Sequence, residues 1–183
     1  MAHQSQKSST RLFKTCDECI EYFTDTEANF AQSIEIYRLR NECFLLKKGM
    51  RELIEAVRRE KGIFPAHAGI FLGKEKKGRF EPSLALLEIL APHSQKKAII
   101  DEKGAWLFIC GRDVFKEGVL SDPSLEPGEL VLVQNQQDEN LGYGRICSGT
   151  VRILNLLDRG DFLRREQSSP NRSKGPKKER KIE

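Results

Sequence analysis

Leu12, Phe13, Cys16, Cys19, Ile20 and Phe23 recur at spacings of three and four, which sets them on one face of a helix, with Ser8, Ser9 or Thr10 in front as candidate N-caps. From Phe30 to Leu39 the pattern changes to strand-like alternation, clearest in SIEIYRLR. Asn41 and Glu42 make a polar turn and CFLLKK supplies a second run before Gly49, so this stretch predicts a hairpin. In MRELIEAVRREKG, Met50, Leu53, Ile54 and Val57 form a helical stripe, and Gly62 supplies the stop because glycine accepts the left-handed conformation that ends a helix. HAGIFLG predicts a strand and GKEKKGRF a charged loop. SLALLEILA predicts a helix, with Pro82 in its first turn and Pro92 at its end.

From Ser94 onward, short apolar runs are punctuated by Gly, Pro, Asn and Asp, the pattern of a small β-barrel. KKAII, AWLFIC, ELVLVQN, YGRIC and TVRILNL are the candidate strands, and a single helical turn fits GRDVFKEG. Trp106, Phe108 and Cys110 alternate within AWLFIC and are therefore expected to point the same way, into a core. Residues 1–9 and 167–183 are polar and unpatterned, which predicts disorder at both ends.

WLFICGRDVFKEGV reads as a strand, Gly111, a short helix carrying Val114 and Phe115, and then Gly118. PGELVLVQN adds Gly128 and a central strand, and LGYGRI adds the pair Gly142 and Gly144. In this order the segments resemble the PUA domain, a small pseudobarrel that binds structured RNA. FLGKEKKGRFEPSLALLEILAP before them and LLDRGDFLRRE after them extend the resemblance, over about residues 25–166, to the Nip-seven family of ribosome-biogenesis proteins. The short connection from Cys147 to Leu157 is similar to that of an archaeal-type member. The resemblance implies an α+β chain: an α/β pre-PUA domain over residues 10–93, a PUA-type β pseudobarrel over 94–166 and a disordered basic tail over 167–183. It also implies a non-catalytic factor, without a cofactor, that binds pre-rRNA in large-subunit assembly alongside the pre-ribosomal particle and other assembly factors. Two other classes stay open on the residues alone: an RNA-targeting PUA subunit of a tRNA-modifying enzyme, and a protein-interaction scaffold.

Composition narrows this picture. No run approaches the roughly 18 apolar residues of a membrane span, and MAHQSQKSST lacks the apolar core of a signal peptide, so a cytoplasmic location is expected. Five cysteines form an odd, scattered set that implies no disulfide framework. Cys16 and Cys19 make a CxxC, but no second CxxC or HxxxH completes a four-ligand zinc site and His3, His67 and His93 stand apart, so two helix-face thiols are expected and no metal. The net charge of +4 comes from 31 basic and 27 acidic residues. Six of those basic and two of the acidic residues lie in 167–183, leaving 25 of each before it. An RNA site in the folded part must then be a local basic patch.

The candidates for that patch follow. Arg112 and Lys116, four apart, would share a face of the short helix beside Gly118, whose missing side chain would let an RNA backbone approach. Arg145 follows the Gly142-Tyr143-Gly144 bend, where it could fork a phosphate while Tyr143 offers a stacking plane. The resemblance adds Arg152, and Arg164 and Arg165 adjoin the tail. Lys74, Lys76, Lys77 and Arg79, flanked by Gly73 and Gly78, could clamp a phosphate, although GxxxxGK[ST] is absent. GxSxG, HExxH and GxGxxG are also absent, and no Cys stands with a His and an Asn in a recognisable nucleophile context, so no catalytic residue is assigned.

Overall fold

The computed structural model describes residues 12–24, 35–63, 65–121, 123–161 and 163–164. Ser8, Ser9, Thr10, the start of the first expected strand, Arg165 and the basic tail lie outside them. Helix α1 (Cys16–Phe23) is capped by Thr15, whose hydroxyl accepts from the Glu18 backbone N–H at 3.2 Å, one turn later than the expected caps. Strands β1 (Glu35–Leu39) and β2 (Glu42–Leu46) form the expected hairpin. Helix α2 (Met50–Lys61) ends at Gly62, which has φ 64° and donates to the Arg58 carbonyl.

Two expectations in this half fail. GKEKKGRF is a hairpin, not a loop: β3 (Ile70–Lys76) and β4 (Arg79–Pro82) pair around Lys77 and Gly78, both at positive φ (52° and 71°). That geometry matches the right-handed twist of paired strands. The charges hid it because the inward positions, Leu72 and Phe80, are spaced too widely among lysines to read as alternation. Pro82 closes β4 instead of opening a helix, and Ser83 caps α3 (Leu84–Leu90) by accepting from the Leu86 N–H at 3.1 Å. A 3₁₀ turn, Ala91–His93, ends the half at Pro92. The first sheet runs β1-β2-β3-β4.

The second sheet contains β5 (Lys97–Ile100), β6 (Val114–Phe115), β7 (Val119–Ser121), β8 (Leu130–Gln134), β9 (Asn140–Ile146) and β10 (Val151–Asp158), in the order β6-β10-β9-β8-β5-β7. Only the 3₁₀ turn Lys116–Gly118 separates the two edge strands β6 and β7, so the sheet nearly closes into a barrel. Gly142 and Gly144 permit it, since a Cβ at Gly142 would lie 2.0 Å from the Leu157 carbonyl oxygen and one at Gly144 would lie 2.4 Å from Ile153.

AWLFIC is a helix, not a strand. Asp101 caps α4 (Glu102–Ile109) by accepting from the Gly104 N–H at 2.6 Å. Gly104 and Phe108, four apart, face the core. Trp106 is 64% exposed and Cys110 is exposed, so the expected common orientation of Trp106, Phe108 and Cys110 does not occur. An apolar run of this length fits both periods, and the cap decides between them.

Strand β8 is buried along its whole length. Val131 and Val133 point into the barrel with Phe108, Ile146 and Ile153, whereas Leu130 and Leu132 pack with Phe13, Phe23 and Leu86 of the first half. The Tyr22 hydroxyl donates to the Leu130 carbonyl at 3.1 Å and accepts from its N–H at 2.9 Å. A third cluster, with Phe44 and Ile54, lies under α2.

Candidate nucleic-acid interface

The edge where the barrel nearly closes brings two of the expected cations together. The Lys116 N–H donates to the Thr150 carbonyl at 3.2 Å, drawing the start of β10 beside the 3₁₀ turn. Lys116 and Arg152 then line one open cavity of about 400 Å³ with Val119, Leu120 and Ser121. Arg152 donates from Nη1 to the Cys147 carbonyl at 3.4 Å, across the turn that joins β9 to β10. Phe115 (51% exposed) and Leu120 (52%) flank this edge. Two cations, a hydroxyl and exposed apolar side chains can meet a phosphate and the face of an unstacked base.

The remaining candidates in this half go elsewhere. Arg112 is exposed on the bend before β6 and lies outside the cavity. It shares no helical face with Lys116, because Val114 and Phe115 between them are strand. Gly118 serves packing: its carbonyl accepts from the Asp101 N–H at 2.9 Å, and a Cβ there would point at Asp101 and Val114. The cavity it does line is a different one, shared with Asp101, Lys103, Asp113 and Glu117. Tyr143 offers no stacking plane, being 7% exposed between the two halves, where burial pushes its phenol pKa well above the usual range. The cause is strand alternation: Gly142 and Gly144 face β10, so Tyr143 must face the first sheet. Arg145, two residues on, is half-buried with its Nε lacking a hydrogen bond. Arg164 acts as a clamp within the fold. Its Nη1 and Nη2 bind the buried Asp158 carboxylate at 3.0 and 2.5 Å, and Nη1 also donates to the Ile109 carbonyl. That bidentate bond raises the Arg164 pKa further.

The span β5 to β10, with its nearly joined edges, has a counterpart among known families. Residues 96–167 match the UPF0113 PUA domain. PUA domains generally bind RNA. A UPF0113 protein of Archaeoglobus fulgidus is 31% identical over 114 residues, covering 57% of this chain and 65% of that protein, so the alignment spans less than two thirds of the relative. A conserved PUA domain protein from Thermoplasma acidophilum aligns with a TM-score of 0.45 at 18% identity, over 73% of this chain and 80% of its own. A hypothetical protein from Pyrococcus horikoshii aligns with a TM-score of 0.47 at 12% identity, over 78% and 89%.

The first sheet lies outside the matched PUA residues, and the other four cations belong to it. Lys74 pairs with Glu81 at 3.8 Å, while Lys76, Lys77 and Arg79 are exposed at the tip of the β3–β4 hairpin. They form a patch of their own, on a different sheet from Lys116 and Arg152. Cys16 and Cys19 are both fully buried on α1, and burial holds the Cys19 thiol protonated. Among the described residues no helix is long and apolar enough to cross a membrane. Sequence reading placed Phe115 on a short helix and left Leu120 unassigned, because strands of two and three residues are shorter than any periodicity can register.

Proposed function

We propose that this chain is a non-catalytic RNA-binding factor of ribosome assembly, similar to the Nip-seven family in its archaeal form. Its PUA half grips pre-rRNA of the large subunit at the Lys116–Arg152 edge, and the first half faces the pre-ribosomal particle and other assembly factors in the cytoplasm. The observation that carries the reading is the convergence of Lys116 and Arg152 on one open cavity flanked by exposed Phe115, within residues matching a PUA domain. Function on this reading is placement of RNA.

Crosslinking followed by sequencing of the bound RNA tests it. Recovery of rRNA on peptides around Lys116 and Arg152 is the expected result; recovery of tRNA would move the chain to the targeting subunit of a modifying enzyme, and no RNA would leave a scaffold. In a direct titration, Lys116→Ala with Arg152→Ala should reduce the log-log salt slope by about 1.4, at roughly 0.7 per phosphate contact on a single strand. Arg59→Ala with Lys61→Ala on exposed α2 positions removes the same charge. An equal change in that control would mean that diffuse charge, not this edge, holds the RNA.

A further inference from the structure

Asn140 opens β9 and is 2% exposed, yet neither its amide nitrogen nor its amide oxygen has a hydrogen-bond partner. A buried amide left unpaired is costly, so no hydrogen bond holds this side chain inward, and a partner that supplies both bonds recovers that cost. Asn140 also lines a cavity of about 370 Å³ at the junction of the two halves, beyond the end of α3. Pro92 provides an apolar wall. Gln134, Lys97, Glu88 and Asp138 supply a second amide, an ammonium and two carboxylates. The Gln134 amide is tied to the Asp138 carbonyl at 3.3 Å, and Glu88 is held by Arg159, which also donates to the Asn140 carbonyl at 2.6 Å. The walls are therefore braced, and Asn140 is the polar group with unmet demand. The cavity belongs to neither the Lys116–Arg152 edge nor the β3–β4 hairpin.

We propose that this cavity takes the adenine base of an unstacked nucleotide, with the Asn140 side chain turning into it. A carboxamide presents one acceptor and one donor side by side, the complement of the adenine amino group and its neighbouring ring nitrogen. The carboxylates accept from an exocyclic amine and repel the carbonyl oxygens of uracil, so they disfavour uracil while the carboxamide matches adenine. Lys97 stands ready for the nucleotide's phosphate, and Pro92 for the face of the ring. The volume is at the lower end for small-ligand sites, which suits one nucleotide and not a duplex. This inference rests on the RNA-binding reading above and adds a base preference at a second site on the same strand.

The test compares short oligouridylates with and without one central adenosine, by fluorescence anisotropy on the full chain. The adenosine-containing strand should bind about tenfold more tightly, in line with one bidentate base contact. Asn140→Ala should abolish that difference while leaving the oligouridylate affinity unchanged, whereas Lys116→Ala with Arg152→Ala should weaken both strands alike. Equal wild-type affinities for the two strands would overturn the inference while leaving RNA binding intact. If neither strand binds, the RNA reading fails, and a titration with adenosine and uridine monophosphates still judges the pocket. Movement of the Asn140 side-chain NH₂ resonance by the adenine nucleotide alone supports it. An unmoved resonance, or one showing contact only with a slowly exchanging water, overturns it. Asn140→Ala is suited to this because the amide contributes no hydrogen bond to the fold.

Discussion

Gly142 shows how one missing Cβ can decide a sheet. Its φ of 148° and the 2.0 Å approach to the Leu157 oxygen leave no room for a side chain, whereas Gly149 has nothing within 4 Å. Gly142→Ala should therefore cost about 3 kcal/mol from strain and overpacking. Gly149→Ala should stay within about 0.5 kcal/mol. Urea melts of the two variants measure the difference. Tyr143, beside it, makes a pH prediction. Burial keeps its phenol protonated in the fold beyond the ordinary value of about 10. The unfolded chain loses that proton first, so the stability it contributes is full below about pH 10 and is lost as pH rises toward the folded value, by up to about 1.4 kcal/mol per pH unit. Tyr143→Phe should flatten that alkaline decline, and parallel curves for the two proteins would refute the assignment.

At the scale of elements, α4 carries the clearest contrast between pattern and outcome. EKGAWLFI is apolar enough to serve as a buried strand, but the Asp101 cap and the Gly104–Phe108 face make it a helix with Trp106 outside. Phe108→Ala should cost about 3–5 kcal/mol as a cavity forms in the barrel. Trp106→Ala should cost under about 0.5 kcal/mol, as for an exposed position. A large loss from Trp106→Ala would restore the strand reading. The β3–β4 hairpin gives the complementary case. Its Lys77-Gly78 turn and buried Phe80 were present in the sequence as a turn residue and an aromatic, yet the lysines between them carried the stronger signal.

At the scale of the molecule, the two sheets share a core through β8. The Tyr22 hydroxyl satisfies both backbone groups of Leu130, 108 residues away, in a buried setting. Tyr22→Phe leaves that N–H and carbonyl without the phenol and should cost about 2 kcal/mol. Because the shared cluster joins both sheets, far-UV circular dichroism in denaturant should still show one transition, shifted to lower midpoint. Two separated transitions would show that the halves unfold independently.

Local chemistry determined what the sequence could show by itself: the β1–β2 hairpin, α2 with its Gly62 stop, and the runs that became β5, β8, β9 and β10. Each is set by residues within a few positions of one another, where spacing and turn preference act directly. Tertiary structure alone decided which cations meet. Lys116 and Arg152 are 36 positions apart and converge because β10 pairs with β6, while Arg112, four residues before Lys116 in the chain, is carried away by the strand between them. It also turned Tyr143 inward and bound Arg164 to Asp158, because a polar group's role depends on whether water or a buried partner surrounds it. That surrounding is composed of residues from distant parts of the chain, and no local pattern encodes it.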